Sequence, residues 1–293
     1  VFRNAYDRLS PAFRSRVRAL MPDWLLRWYA HHNTDVYLLS YPKCGRTWLR
    51  LMIGKAIASH FSLPGSEELL FLKRNYRWHP SVPRIKVIHD DRPMFKAPDE
   101  LKKSKAHYRA KKVIFMVRDP RDVIVSHYFE RSKRRTVFED NPYEPRNTIF
   151  EGSLLQFIEN RIGGFDTLIE YYNIWARNRH IPKDFLLVRY EDLRADPHAG
   201  LRKVLDFIGL AEISADTISE AVEYASFDNM RKMETESQFQ DGMLKPADKE
   251  DQASYKTRKG KVKGFTDYLN LIEIEALNCK METELSDFFG YTP

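Results

Sequence analysis

Short apolar segments alternate with amphipathic segments along most of the chain. Four of the apolar segments predict buried strands, at residues 35–40, 85–89, 113–117 and 185–188. The third is apolar at every position, as expected for a strand that helices cover on both faces. Apolar residues at helical spacing predict helices over 47–61, from near Asp122 onward, and over 197–208, 215–224 and 272–289. This alternation predicts an α/β fold with a central parallel sheet.

No linker rich in Pro, Gly or Ser divides the 293 residues, so we predict one domain over residues 1–293. Residues 1–34 are predicted to form a helical extension, because five apolar residues recur there at helical spacing: Leu20, Met21, Trp24, Leu25 and Trp28. This helix packs on the domain or, alternatively, lies on a membrane surface. Three polar stretches, 62–83, 131–150 and 231–262, predict long loops, and we expect 231–262 to act as a lid.

Composition excludes several classes of protein. Hydrophobic residues make up 43% of the chain, too many for a disordered protein, and no apolar run is long enough to span a membrane. The 48 basic and 41 acidic residues give a net charge of +7, which suits a mixed solvated surface or a cleft for an anion. Basic residues are spread along the chain, so no nucleic-acid partner is predicted. Cys44 and Cys279 indicate no disulfide framework and no metal site, and they favour a reduced, cytoplasmic setting.

The turn after the first predicted strand has the composition of an anion site. Residues 40–48 read SYPKCGRTW and lie between a strand and a helix, where free backbone N–H groups and the helix dipole attract phosphate. Gly45 permits a tight backbone approach, Lys43 supplies a positive charge, and Arg46 and Thr47 donate further hydrogen bonds. A nucleoside-triphosphate loop needs a lysine directly after its last glycine, where this chain has Arg46. The spacing therefore argues against an ATP or GTP site.

A second turn, after the third predicted strand, also suits a phosphate. Residues 117–126 read VRDPRDVIVS. Arg118 at the strand end presents a planar fork that binds two phosphate oxygens, and Ser126 lies about one helical turn beyond Asp122. Pro120 and Asp122 are typical of a helix start. An internal ion pair between Arg118 and a neighbouring aspartate is the alternative interpretation.

These two turns resemble segments of the cytosolic-type sulfotransferases that use 3′-phosphoadenosine-5′-phosphosulfate (PAPS). YPKCGRTWL resembles the family's 5′-phosphosulfate loop, YPKSGTTWL, and RDPRDVIVS resembles its 3′-phosphate segment. Three further segments occur in the family's order: RYEDL at 189–193, Ser226 with Phe227, and RKG at 258–260. The resemblance covers about residues 35–290. It implies a P-loop-like three-layer fold with a central parallel sheet, whose ligands bind at the carboxyl ends of the strands.

The resemblance also implies which residues bind the donor. The 5′ end of PAPS is assigned to Lys43, Cys44, Gly45, Arg46, Thr47 and Trp48. The 3′-phosphate is assigned to Arg118, Ser126, Arg258, Lys259 and Gly260, and the adenosine to Tyr190, Ser226 and Phe227, with Trp48 and Phe227 on opposite faces of adenine. Lys43 is expected beside the bridging oxygen that departs with 3′,5′-ADP, and no metal is expected. Cys44 fills a position that needs a small side chain or, alternatively, is a reactive thiol.

His89 aligns with the family's general base, a histidine in a KTHLP string, although this chain reads VIHDD. A histidine accepts a proton near neutral pH. Val87 stands where the family has a lysine, so the chain lacks that cation near the transferring group. Asp90 or Asp91 could orient His89 or replace it, and His127 is a further candidate base.

The activity implied by the resemblance is transfer of a sulfuryl group from PAPS to a hydroxyl or amine acceptor, with release of 3′,5′-ADP. Two alternatives stay open: a variant P-loop nucleotide kinase that requires Mg²⁺, and an inactive protein that binds 3′,5′-ADP or PAPS. The acceptor is expected to be a small molecule or a carrier- or glycan-linked group. Charged loops favour a polar acceptor, whereas Phe71, Tyr76 and Trp78 favour an aromatic or lipid one. The family's dimer motif is not evident after Gly260, which leaves the oligomeric state open.

Overall fold

The computed structural model describes residues 22–73, 77–134, 149–239 and 244–291. The first elements are α1 (Asp23–His32), β1 (Val36–Ser40), α2 (Arg46–His60), α3 (Glu67–Leu70), β2 (Ile85–Ile88), β3 (Lys112–Val117) and α4 (Pro120–Phe129), which a π-helical turn extends over Glu130–Arg134. They are followed by α5 (Leu154–Ile158), α6 (Phe165–Asn178), β4 (Asp184–Arg189), α7 (Tyr190–Ala195), α8 (Pro197–Ile208), α9 (Ala215–Tyr224), α10 (Phe227–Thr235) and α11 (Leu271–Glu284).

The four strands form one parallel sheet in the order β2-β1-β3-β4. Leu38 at the centre of β1 lies opposite Val87 of β2 and Ile114 of β3, and Phe115 of β3 lies opposite Leu187 of β4. Because parallel strands all end at the same edge, the loops that follow them meet there. The sheet therefore brings together segments that are far apart in the sequence.

Helices cover both faces of the two central strands. All five residues of β1 are buried, as are five of the six in β3, which is the pattern of strands with no solvated face. Helix α2 packs against α8 and α9, and α4 packs against α6. Trp175 of α6 stacks on Phe115 of β3 with ring centroids 5.3 Å apart. The predicted three-layer architecture is confirmed.

Every predicted strand is present, with ends that differ from the prediction by at most one residue. Helix α4 begins at Pro120 rather than near Asp122, because Asp119 accepts a hydrogen bond from the Arg121 amide and caps the helix. The predicted helix over 272–289 ends earlier, at Glu284, and a separate 3₁₀ turn follows at Asp287–Phe289. Helix α10 continues to Thr235, into the predicted loop 231–262.

Helix α1 forms part of the predicted N-terminal extension. Leu20 and Met21 lie outside the described residues, while Trp24 and Trp28 expose 68% and 55% of their surface. Trp28 stacks on His32 at 5.0 Å, within the same helix. None of the helices in the described residues is both long and apolar enough to cross a bilayer.

Candidate active site

The loops after all four strands line one cavity of about 430 Å³. Its walls include residues after β1, after β2, after β3 and at the end of β4. The predicted site residues that line it are Lys43, Gly45, Arg46, Thr47, Trp48, His89, Arg118, Ser126, Tyr190, Phe227, Arg258, Lys259 and Gly260. The side chains of Cys44 and Ser226 do not line it. The structure thus brings together nearly all of the residues that the motifs singled out.

The loop after β1 folds tightly because two of its residues have positive φ angles. Gly45 has φ of 88°, and a Cβ atom at this position would lie 2.6 Å from the ring of Tyr190. Lys43 has φ of 71°, in the left-handed region that a side chain disfavours. Helix α2 begins directly after Gly45, so the N–H groups of Arg46 and Thr47 have no partner within the helix. This arrangement suits an anion that contacts backbone amides.

Lys43 is paired with a carboxylate that the sequence did not single out. Its Nζ atom lies 2.7 Å from Oε2 of Glu130, which belongs to the π-helical turn after α4. Both residues line the cavity. An anionic ligand at this position would compete with Glu130 for the ammonium group.

His89 lies at the end of β2 between two groups that fix its tautomer. Its Nδ1 atom lies 2.8 Å from the carbonyl oxygen of Ser40, which can only accept, so Nδ1 carries the proton. Its Nε2 atom lies 2.8 Å from Nη2 of Arg46, which can only donate, so Nε2 presents a lone pair. Burial, with the Arg46 charge second, holds the pKa of His89 well below its usual value. His89 is therefore a neutral imidazole with a potential base at Nε2.

Neither neighbouring aspartate contacts His89. Asp90 pairs with the buried Lys105, whose Nζ lies 2.6 Å from its Oδ2 atom. Asp91 forms an ion pair with Lys96. Both carboxylates are thus engaged elsewhere, and the Ser40 carbonyl takes the orienting position.

His127 lines the cavity but is packed among aromatic rings. Its ring meets that of Tyr41 edge-on at 5.6 Å and that of Phe157 at 5.2 Å. Burial lowers the pKa of His127 to about 3. These contacts fit the role of a packed neighbour better than that of a mobile base.

Arg118 follows β3, in the second of the two turns predicted to bind phosphate, and its side chain is held by several contacts. Its Nη2 atom lies 3.2 Å from Oδ2 of Asp122 and donates to the Lys261 carbonyl at 2.9 Å. Its guanidinium carbon lies 4.5 Å from the centre of the Tyr190 ring. Burial is the largest single influence and lowers the pKa of Arg118, but the Asp122 carboxylate, together with Tyr190 and Glu191, outweighs burial, so the net shift is upward. Arg118 therefore remains a cation, and its buried Nε atom has no hydrogen-bond partner among the described residues.

The RKG segment supplies two more cations to the same end of the cavity. Arg258 lies over the ring of Phe129 at 4.1 Å and donates a hydrogen bond to Tyr268. Lys259 pairs with Asp267 at 2.7 Å, and this contact raises the pKa of Lys259. Together with Arg118, these residues make one end of the cavity strongly cationic.

Three aromatic residues, Trp48, Tyr190 and Phe227, line the cavity together with these cations. Trp48 and Tyr190 meet edge-on, with ring centroids 5.8 Å apart. Phe227 packs against Gly260, where a Cβ atom would lie 2.5 Å from the Phe227 ring. Ser226 does not reach the cavity, because its side chain caps α10 by accepting from a backbone amide of that helix. An aromatic ring system such as adenine would find stacking partners here.

Cys44 points away from the cavity, into the core. Its Sγ atom lies 3.3 Å from the hydroxyl of Tyr172, a residue of α6 that the sequence analysis missed. That hydroxyl also accepts from the Arg118 amide at 3.1 Å and donates to the Arg118 carbonyl at 3.0 Å. Burial raises the pKa of Cys44 to about 12, so its thiol stays protonated and is not a reactive thiolate. Tyr172 joins the two loops that carry the site.

Several other residues of the cavity wall were not predicted. They include Met94, Phe95, Glu130, Arg131, Lys256 and Thr257. Most of the predicted loop 131–150 lies outside the described residues, as does Tyr76. Phe71 is buried in the core, so it cannot contact an acceptor. Among the residues that the structure describes, no three His, Cys, Asp or Glu side chains gather as metal ligands.

Comparison with known sequences assigns the chain to a family. A model of the sulfotransferase domain matches residues 33–289. The chain is 26% identical over 274 residues to flavonol 3-sulfotransferase of Flaveria bidentis, covering 87% of this chain and 82% of that protein. It is 25% identical over 258 residues to cytosolic sulfotransferase 12 of Arabidopsis thaliana, covering 81% and 73%. It is also 24% identical over 268 residues to an amine sulfotransferase of Oryctolagus cuniculus, covering 87% and 82%.

Two solved structures share the fold. The mouse sulfotransferase SULT7A1 complexed with PAP has a TM-score of 0.57 at 19% identity, covering 88% of this chain and 87% of that one. A retinol dehydratase in complex with androsterone and PAP has a TM-score of 0.54 at 16% identity, covering 87% and 81%. At these identities the likeness supports the fold, and it agrees with the predicted P-loop-like sheet. Because the domain model matches most of the chain, the protein belongs to the sulfotransferase family.

Proposed function

We propose that this protein transfers a sulfuryl group from PAPS to a hydroxyl or amine acceptor and releases 3′,5′-ADP. The observation that carries the proposal is a single cavity with two separate cationic regions, Lys43 with Arg46 after β1 and Arg118 with the RKG segment. PAPS carries anionic groups at both its 5′ and 3′ positions, and the distribution of cations matches that pattern. Related proteins are named sulfotransferases, and solved structures with this fold contain PAP, which is 3′,5′-ADP.

The residues present fit the donor. Glycine at position 45 lets the loop pass directly beside the Tyr190 ring, which a Cβ atom would strike, and the loop leads into the amides at the start of α2, where a phosphate can bind. The unpartnered Nε of Arg118 offers a donor for the 3′-phosphate. Trp48 and Phe227 would flank the adenine, and Tyr190 would close the adenosine pocket. Thr47 and Ser126 would add hydroxyl groups to the two phosphate sites.

The chain's own groups can perform an in-line displacement. His89 Nε2 accepts the proton of the acceptor hydroxyl while the acceptor oxygen bonds to sulfur. The bond between sulfur and the bridging oxygen breaks, and its electron pair remains on the 5′-phosphate of 3′,5′-ADP. Lys43 stabilises the charge that develops on that oxygen. For His89 to accept a proton, Arg46 has to release Nε2, to which it donates in this structure.

The acceptor side of the cavity mixes apolar and charged walls. Met94 and Phe95 offer apolar contact, and the Arg131 guanidinium lies 5.5 Å from the Phe95 ring centre. This mixture suits a small acceptor with a ring and a polar group. A carrier- or glycan-linked acceptor stays an alternative, as does an inactive protein that binds the nucleotide alone. We propose that the chain forms one domain in which residues 231–262 act as a lid. We also propose that the reaction takes place in the cytoplasm.

Calorimetric titration without metal tests the donor site. We expect 3′,5′-ADP to bind at least about tenfold more tightly than 5′-AMP, because Arg118 and the RKG cations lose their partner when the 3′-phosphate is absent. Arg118→Met should abolish this preference. The exposed Arg177, which pairs with Glu170, provides the control Arg177→Met, which should keep it. Equal affinity for the two nucleotides would contradict the proposal, as would tighter binding of ATP in a separate titration with Mg²⁺.

A further inference from the structure

Arg46 does not point toward the anion site at the start of its own helix. It is the first residue of α2, yet its guanidinium reaches His89 at the end of the adjacent strand β2, 2.8 Å from Nε2. Its second terminal nitrogen, Nη1, is buried and has no hydrogen-bond partner among the described residues. Arg46 lines the cavity. One N–H group of this side chain thus contacts the candidate base, while another remains unsatisfied.

The charge of Arg46 is not balanced by a carboxylate. None of the ion pairs recorded for the described residues includes it. Burial lowers the pKa of Arg46 to about 10, which reflects the cost of removing the cation from water. A buried cation with an unsatisfied donor is destabilising unless an anion compensates it. The geometry therefore identifies a site for an oxyanion beside His89.

The position of this site identifies the oxyanion. On the proposed function, the 5′-phosphate lies against the amides at the start of α2, with Lys43 and Thr47, which line the cavity there. The acceptor hydroxyl has to lie near His89 Nε2 to give up its proton. On the proposed function, a sulfuryl group in transfer lies between that phosphate and that hydroxyl, and the Arg46 guanidinium lies beside the same Nε2 atom that the hydroxyl has to approach.

The neighbouring strand does not supply this charge. Val87, two residues before His89, is apolar and packs against the core. Lys86, next to it, lies over the Tyr37 ring with its Nζ atom 5.8 Å from the ring centre, and it does not line the cavity. Arg46 is the cation that contacts His89 directly.

We propose that Arg46 holds His89 in place through Nη2 until PAPS binds, and that it then binds an oxygen of the transferring sulfuryl group through Nη1. The inference rests on the proposed function. A guanidinium suits this double task, because its donors are arranged as a rigid planar fork. When the sulfuryl oxygens draw the guanidinium toward them, Nε2 of His89 becomes free to accept the acceptor proton. Donor binding thereby prepares the base.

The test compares PAPS with 3′,5′-ADP, which lacks the sulfuryl group. In Arg46→Gln, calorimetry should show PAPS binding weakened by about tenfold or more, while the dissociation constant of 3′,5′-ADP changes by less than about twofold. Arg46→Lys should recover part of the PAPS affinity. Arg50, one turn further along α2, lies outside the cavity and donates to the Phe71 carbonyl. The control Arg50→Gln should leave both affinities unchanged.

A second measurement reports on the contact with His89. The His89 resonance is assigned by its loss in His89→Gln, and its titration is followed by NMR in the wild type and in Arg46→Gln. Because the Arg46 charge contributes to the low pKa of His89, that pKa should rise in Arg46→Gln. An equal loss of affinity for PAPS and 3′,5′-ADP would mean that Arg46 binds the 5′-phosphate and would overturn the inference. So would an unchanged PAPS affinity or an unchanged His89 pKa. Failure of the wild type to bind 3′,5′-ADP would instead refute the proposed function.

Discussion

Lys43 combines backbone strain with a charge that faces the cavity. Its φ of 71° costs about 1–2 kcal/mol for a residue with a side chain. The turn nevertheless places the ammonium group against Glu130 from the far end of α4. Such strain is commonly found at functional sites, where it fixes the direction of a side chain. The strained backbone at Lys43 therefore supports the role that we propose for this residue.

Lys43→Ala should separate function from folding. Transfer of labelled sulfuryl from PAPS to a panel of phenol, alcohol, amine and sugar acceptors should fall by at least about 100-fold, because the leaving oxygen loses its cation. Alanine keeps the same backbone strain, and the ion pair with Glu130 is partly exposed, so the free energy of unfolding should change by less than about 1 kcal/mol. Lys55→Ala is the control. It removes a similar ion pair, between Lys55 of α2 and Glu220, and it should keep full transfer. Retained transfer in Lys43→Ala would disprove the role given to Lys43.

Helix α6 organises the site without lining it. The Tyr172 hydroxyl contacts Cys44 in the loop after β1 and both backbone polar groups of Arg118 in the loop after β3. This one group therefore sets the spacing between the two cationic regions. Because Tyr172 is fully buried, water cannot take the place of its hydroxyl.

Tyr172→Phe should loosen both loops. Loss of the hydroxyl leaves the Arg118 amide and carbonyl without a partner, which should cost about 1–3 kcal/mol in the free energy of unfolding. Affinity for 3′,5′-ADP should also fall, since Arg118 is no longer held in position. Tyr171, its neighbour, has a buried hydroxyl that bonds to neither loop, so Tyr171→Phe is a matched control. Urea unfolding and calorimetry check both effects, and equal behaviour of the two variants would contradict the role of Tyr172.

The elements were predictable where the pattern is local. The strands are recognisable in the sequence as apolar runs. The loops after β1 and β3 are recognisable as motifs between a strand and a helix. Helix α6 was missed although Phe165, Leu168 and Ile169 follow helical spacing, because no motif drew attention to it. The contact of Lys43 with Glu130 joins residues 87 positions apart, and no local pattern records such a pair.

Side-chain direction was the other feature that the sequence did not reveal. Neighbouring residues of one loop diverge, since Cys44 enters the core while Arg46 crosses to His89. The motif correctly located both residues at the junction of β1 and α2. It could not tell which of them reaches the cavity, because that depends on the φ angles of Lys43 and Gly45 and on the strand beside them.

Over the whole molecule, burial of ionisable groups links stability to pH. Burial lowers the pKa of four histidines: His31, His89, His107 and His127. In the unfolded chain a histidine has a pKa of about 6.5. Below that pH, the unfolded state binds protons that the folded state excludes, so acid favours unfolding. Burial raises the pKa of Asp122 and Glu191, which acts in the opposite direction at lower pH.

The contribution of these histidines to the free energy of unfolding should therefore be constant above about pH 7. It should fall as the pH drops from 6.5 to 5.5. Each fully buried neutral histidine contributes a slope that approaches about 1.4 kcal/mol per pH unit toward the acid end of this window. His127, whose folded pKa is about 3, should contribute over the whole window. His127→Gln should reduce the slope. Urea unfolding at pH 7.5, 6.5, 6.0 and 5.5 measures these slopes, and an equal slope in His127→Gln and the wild type would show that His127 is protonated in the folded protein.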